Sequence, residues 1–234
     1  MSWDVYPHGE LVVVADGLWM VTGSMKGGGL PRNMVAWRMP AGGLWIHSAV
    51  NLDEAHMAEL EALGSPAVLV VPNGFHRADA PAWKARYPGL QVVAPAASRV
   101  RVEKVLPCDA TAEEVLPARG VICHLPDGLK PAELVYELPL PDGRHALVLT
   151  DVLFNIEAHL PGPAGFFLRY VTGSTGHFGP TRLSRLMLVS DGKAFASWLR
   201  RQADRPGLAA ILVAHGAPVT GDCADKLRMA AARA

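Results

Sequence analysis

The chain has 234 residues, half of them hydrophobic, with 22 basic and 22 acidic side chains and therefore no formal net charge. That length is enough to bury an ordinary single core. Zero net charge excludes the broad basic field that selects nucleic acid or an anionic membrane, so the expected partner is a small-molecule substrate or ligand.

The first elements read as strands. Leu11 to Ala15 and Leu18 to Thr22 flank Asp16-Gly17, a tight-turn pair, and are expected to form a hairpin. After the glycine-rich stretch Gly23 to Pro31 come two further strands, Met34 to Met39 and Leu44 to His47. Leu52 to Leu63 then carries apolar residues at helical intervals, with Gly64 as its stop. Ala67 to Val71 is apolar without interruption, as in a strand covered on both faces. A helix over Pro81 to Tyr87, with Asp79 as its cap, leads to the strand Leu90 to Ala94.

The second half adds strands at Gly120 to His124, Ala132 to Leu138 and His145 to Thr150, the last two joined by Pro141-Asp142-Gly143. Helices follow over Arg182 to Val189 and Lys193 to Ala203, then a buried strand, Ala209 to Ala214, and a final helix over Cys223 to Arg233. With no internal repeat and no long linker, the expectation is one domain spanning residues 1–234, strands inside and helices outside.

No apolar run approaches the roughly 20 residues that span a bilayer, and Met1-Ser2-Trp3-Asp4 lacks a signal-peptide layout, so a cytoplasmic protein is expected. Cys108, Cys123 and Cys223 lack paired spacing and read as reduced, buried thiols. Trp19, Trp37, Trp45, Trp83 and Trp198 read as core, and His8, His56, His145 and His159 as solvent-exposed. Thr172 to Gly179 has the glycine content of a phosphate loop without its Gly-Lys-Ser/Thr ending, and reads as a flexible loop over the pocket. Ser48 and Ser174 lack a Gly-x-Ser-x-Gly elbow, which leaves a serine hydrolase little support.

Chemistry concentrates where polar residues follow apolar strands, because layered folds bind ligands at the carboxyl ends of their strands. His47, His76, His124, Asp151 and His215 each take such a position. Together they offer the nitrogen and oxygen donors favoured by zinc, iron or manganese. The competing reading of Asp151 is an N-cap on the segment Val152 to Glu157.

Val70-Val71-Pro72-Asn73-Gly74-Phe75-His76, then Leu149-Thr150-Asp151-Val152-Leu153-Phe154-Asn155, then Leu212-Val213-Ala214-His215-Gly216 resemble, in that order, the metallo-β-lactamase fold superfamily. Gly43 to Ser48, Trp83 to Pro88 and Gly179 to Leu183 look more narrowly like a bacterial branch of it known only as a domain of unknown function. The resemblance covers nearly the whole chain. It implies an α/β fold, a single αββα sandwich with a metal site on one edge that activates water for hydrolysis. Asp151 matches the superfamily's bridging aspartate and His215 its last histidine, which makes these two the expected catalytic pair.

The departure lies after the first buried strand. The superfamily's His-x-His-x-Asp-His stretch corresponds here to Pro72-Asn73-Gly74-Phe75-His76-Arg77, which keeps His76 and sets a guanidinium, a group that does not bind zinc, where another ligand belongs. His124 or Glu133 stands for the superfamily's central histidine, and His47 faces the site where relatives carry an acidic residue. The expected metal set is therefore His76, His124, Asp151 and His215 around one divalent ion, with Asn73, Arg77 and His47 meeting the substrate. The resulting expectation is a metal-dependent hydrolase with a degenerate site. Its alternative is a non-catalytic binding or scaffold protein with an empty pocket, where Arg77 and Asn73 recognise an anion.

Overall fold

The computed structural model describes residues 2–25, 27, 29–159 and 162–234. By its internal contacts the chain divides into two compact units, Met1–Cys123 and His124–Ala234.

The first unit is built on one sheet in which strand order follows chain order. β1 (Val12–Ala15) and β2 (Leu18–Gly23) form the expected hairpin, and β3 (Arg32–Arg38) and β4 (Leu44–His47) extend it antiparallel. The direction then changes. Helix α1 (Glu54–Leu63) carries the chain back so that β5 (Pro66–Val70) joins β4 in parallel. Helix α2 (Ala80–Arg86) does the same for β6 (Gln91–Ala94), with the short α3 (Arg99–Val102) and β7 (Ala110–Thr111) completing the edge. Met57 and Leu60 of α1 and Trp83 of α2 pack with Leu69, Val71 and Val92 into one buried cluster. That helix layer is what the uninterrupted apolar run of β5 called for. The short α4 (Ala112–Val115) closes the unit before β8 (Ile122–His124), which straddles the division.

Asp53 caps α1 by accepting the His56 N–H at 2.9 Å, and Gly64 ends the helix as expected. Asp79 does not cap α2. Its carboxylate is taken by the fully buried Arg32 guanidinium and by the Asn51 N–H, because an unpaired buried cation costs more than an open helix end.

In the second unit the sheet runs β14-β13-β10-β9. β9 (Val135–Pro139) and β10 (His145–Leu149) are antiparallel. β13 (Leu208–Val213) lies parallel to β10, and β14 (Val219–Thr220) closes the edge. Between them come β11 (Phe154–Ile156), α5 (Gly162–Phe166) running into a π-helical turn at Phe167–Val171, β12 (His177–Gly179), α6 (Arg182–Leu188) and α7 (Gly192–Asp204), with α8 (Cys223–Ala231) at the end. Phe195, Trp198 and Leu199 of α7 and Leu227 of α8 pack on Leu147, Leu149, Ile211 and Val213.

Three expectations need correction here. Thr172 to Gly179 is not a free loop: Thr172, Ser174 and Thr175 are buried, and β12 pairs with β11. The same pairing removes the N-cap reading of Asp151, since the segment after it enters a strand. His8 and His56 are largely buried, with side chains 4% and 17% exposed, because the N-terminal segment packs across the start of α1. His145 is half-buried, and His159 is exposed as expected. All five expected core tryptophans are buried. The cysteines are free, and burial pushes the Cys108 thiol up to about 11 and the Cys123 thiol up to about 12, which leaves both protonated. Among the described residues no helix is long and apolar enough to cross a membrane.

Candidate metal centre

In the second unit the site follows from sheet register. β10 and β13 run parallel with Leu149 opposite Val213, so the two chains leave the sheet side by side. Two residues further on, Asp151 Oδ1 and His215 Nε2 stand 3.2 Å apart. The His215 ring is stacked on Phe154, with centroids 4.7 Å apart. Its carbonyl accepts the Asn155 N–H at 2.9 Å, and the Ala217 N–H returns to the Asn155 carbonyl at 3.0 Å. Gly216 sits between these bonds at φ +105°, where any Cβ would collide with the Asn155 carbonyl. The His-Gly pair in the sequence is thus a backbone requirement of this turn.

Glu133 has a role that its position in the sequence did not disclose. Its Oε1 accepts three consecutive backbone N–H groups, from Thr150, Asp151 and Val152, at 3.1, 2.7 and 3.1 Å. The carboxylate clamps the backbone that carries Asp151. Burial, followed by the neighbouring Asp151 charge, pushes the Glu133 carboxyl up, while the three N–H donors act against that shift.

His124 is engaged elsewhere in the same unit. Its Nε2 lies 2.8 Å from Glu137 Oε2, and its ring meets Trp198 edge-on. Arg205 forks onto both oxygens of Glu137 at 2.6 and 2.7 Å. Burial alone would raise the Glu137 carboxyl, but the Arg205 and His124 hydrogen bonds outweigh it and hold the group at about 2.

In the first unit His76 is buried, with Nδ1 2.8 Å from Ser48 Oγ. Ser48 follows β4 and is the only non-glycine residue among those described with positive φ, at 58°. A left-handed serine at a strand end marks a constrained backbone, and its partner here is a histidine expected to bind metal. Asn73 turns its Oδ1 onto the Phe75 N–H at 2.8 Å, and Arg77 donates to the Arg101 carbonyl. His47 is buried, its ring stacked on Trp45.

Solved structures give the comparison. A mono-zinc metallo-β-lactamase from Pseudomonas aeruginosa matches with a TM-score of 0.61 at 13% identity, over 99% of this chain and 98% of that one. An Erythrobacter litoralis metallo-β-lactamase with β-mercaptoethanol in its active site matches at 0.62 and 15%, over 99% and 100%. One from Hirschia baltica matches at 0.59 and 12%, over 95% and 97%. The chain has the metallo-β-lactamase fold. No family profile matches the chain, so the narrower branch expected from the sequence gains no support, and no curated protein matches it either.

The donors fit a metal. Asp151 offers a carboxylate oxygen beside the His215 imidazole nitrogen, the donor types that zinc, iron and manganese accept.

Proposed function

We propose that the protein is a metal-dependent hydrolase of a small or medium-sized substrate, acting as one domain over residues 1–234. The divalent ion of this centre, zinc, iron or manganese, is held by Asp151 and His215, with His76 assigned as a further ligand from the sequence alone. The observation that carries this reading is the Asp151–His215 contact at the carboxyl ends of neighbouring parallel strands, within a fold whose solved examples are metallo-β-lactamases. His124 stays outside the set because its Nε2 is committed to Glu137. With Pro72 and Gly74 in place of two imidazoles, one ion is expected.

When bound, such an ion supplies Lewis acidity that makes water a competent nucleophile near neutral pH. The chain's own residues do the rest. Glu133 holds the backbone of Asp151 in place, Phe154 fixes the plane of the His215 ring, and Ser48 sets the orientation of His76. His47, Asn73 and Arg77 are assigned to substrate contact, Arg77 as the cation for an anionic group. A cytoplasmic location fits the three free thiols.

Elemental analysis of protein purified without a polyhistidine tag tests the reading. Bound zinc, iron or manganese that falls by one equivalent per chain in Asp151→Asn or His215→Ala supports it. Failure to retain metal after supplementation overturns it in favour of a non-catalytic binding protein on the same fold.

A further inference from the structure

We infer that the first unit carries a separate divalent-cation site at the start of α1, with His8, Asp53 and His56 as ligands and zinc, cobalt or nickel as its chemical class. The inference is independent of the reading of Asp151 and His215.

One donor atom from each of the three residues lies within 4.8 Å of the others. His56 Nδ1 is 2.7 Å from Asp53 Oδ1, and His8 Nε2 is 3.8 Å from Asp53 Oδ2. The two rings meet edge to face with centroids 4.8 Å apart. Bonds of about 2.0–2.2 Å to nitrogen and oxygen place tetrahedral ligand atoms roughly 3.4 Å from one another, so the two distances bracket what an ion needs. A small rotation of the Asp53 carboxylate would even them out.

The far side of each ring strengthens the case. His8 Nδ1 is bonded to the Gly9 carbonyl at 2.9 Å, and His56 Nε2 to Glu10 Oε2 at 3.0 Å. Both partners are acceptors, so His8 keeps its proton on Nδ1 and turns the Nε2 lone pair to the Asp53 N–H, whereas His56, bonded to the Asp53 and Glu10 carboxylates on its two sides, is held toward its protonated form and would give up the Nδ1 proton to an ion. A carbonyl or carboxylate behind the imidazole is how metal-bound histidines have their tautomer set. Two imidazoles and one carboxylate suit the later first-row divalent ions better than magnesium or calcium.

The backbone presents these groups ready-made. His8 bridges to Gly23, the Gly9 N–H reaches the Thr22 carbonyl at 2.9 Å, and the N-terminal segment is thereby fastened to the end of β2. On the other side α1 is anchored by Met57 and Leu60. Asp53 is half exposed, which leaves an ion a path in. Three costs oppose binding: the Asp53 N–H bond to His8 Nε2 must be given up, the positive end of α1 faces the site, and the proton between His56 Nδ1 and Asp53 Oδ1 must leave. The carboxylates of Asp53 and Glu10 offset the second.

The test uses tag-free, chelator-stripped protein titrated with cobalt(II) and zinc(II), with bound metal counted per chain. His8→Ala and His56→Ala are expected each to bind one equivalent fewer than wild type. His215→Ala keeps this site, whatever it does to the other centre, and Glu10→Gln weakens this site about tenfold. Equal stoichiometry in wild type, His8→Ala and His56→Ala overturns the inference. Should the alanine variants fail to fold, nitrogen-15 spectra of wild-type imidazoles decide. Zinc is expected to shift His8 Nε2 and His56 Nδ1, and unmoved resonances overturn the proposal.

Discussion

Asp151 and His215 meet because of a register, with no bond of their own needed to draw them together. Leu149 faces Val213 across parallel strands, the Ala214 N–H still reaches the Thr150 carbonyl at 3.4 Å, and the next residue on each chain is one of the pair. Glu133 below and Phe154 beside them then fix the backbone and the ring. The two side chains are placed by elements that would be present whether or not they bound anything, which makes their chemistry separable from their folding.

Asp151→Asn and His215→Ala should therefore act mainly through metal. In metal-loaded protein each is expected to forfeit the ligand-linked stabilisation, roughly 2.7 kcal/mol at a hundredfold excess over the dissociation constant. In chelator the variants and wild type should melt within a few degrees of one another. Differential scanning calorimetry with and without chelator checks this, and equal melting shifts in both conditions would make the pair structural.

Ser48 offers a test of how His76 is held. Ser48→Gly removes the hydroxyl bonded to His76 but relieves the positive φ, whereas Ser48→Ala removes the bond and keeps the strain. The glycine variant is expected to be the more stable by about 1 kcal/mol. Both should lose about tenfold or more in metal affinity. An unchanged affinity in both would show that the hydroxyl does not position His76.

Much of this was legible in the residues, and the rest was hidden for identifiable reasons. β5 and α1 could be read because Ala67 to Val71 is continuously apolar and the helix closes on Gly64. β11 and β12 are three residues each, too short for any periodicity, and they exist because Asn155 pairs with Phe178. Asp79 obeyed the local rule for a cap and lost it to Arg32, a partner that no local pattern reveals. His8 and His56 looked exposed for the same reason: what covers them comes from a distant part of the chain. The positions of Asp151 and His215 were readable from the strands before them, but the work of Glu133 was not, since its three donors belong to a different segment.

Gly216 should tolerate no side chain. Gly216→Ala meets both the positive φ and the Asn155 carbonyl, whereas Gly221→Ala, at φ +91° with nothing within 4 Å, meets only the first. The second variant is expected to cost about 1–2 kcal/mol. The first should exceed it by roughly 1–3 kcal/mol as the backbone gives way. Urea denaturation of the two variants measures the difference, and equal midpoints would remove the close approach as the reason for the glycine.

Glu137 gives the acid limb of stability a specific source. Its carboxyl sits at about 2 in the folded chain, against an ordinary value near 4.5, because Arg205 and His124 bind the ionised form more strongly than burial opposes it. A depressed carboxyl stabilises the fold fully above the unfolded value and loses that contribution as pH falls through the folded one. The window therefore runs from about 4.5 down to about 2. Glu137→Gln should cost roughly 2–3 kcal/mol at pH 7, since charge-assisted bonds to a buried group become ordinary ones. Between pH 4.5 and 2 the gap between wild type and variant should close, as wild type takes up the proton that the amide never needed. Parallel pH–stability curves for the two proteins across that range would mean that Arg205 and His124 do not hold the carboxylate in its charged form.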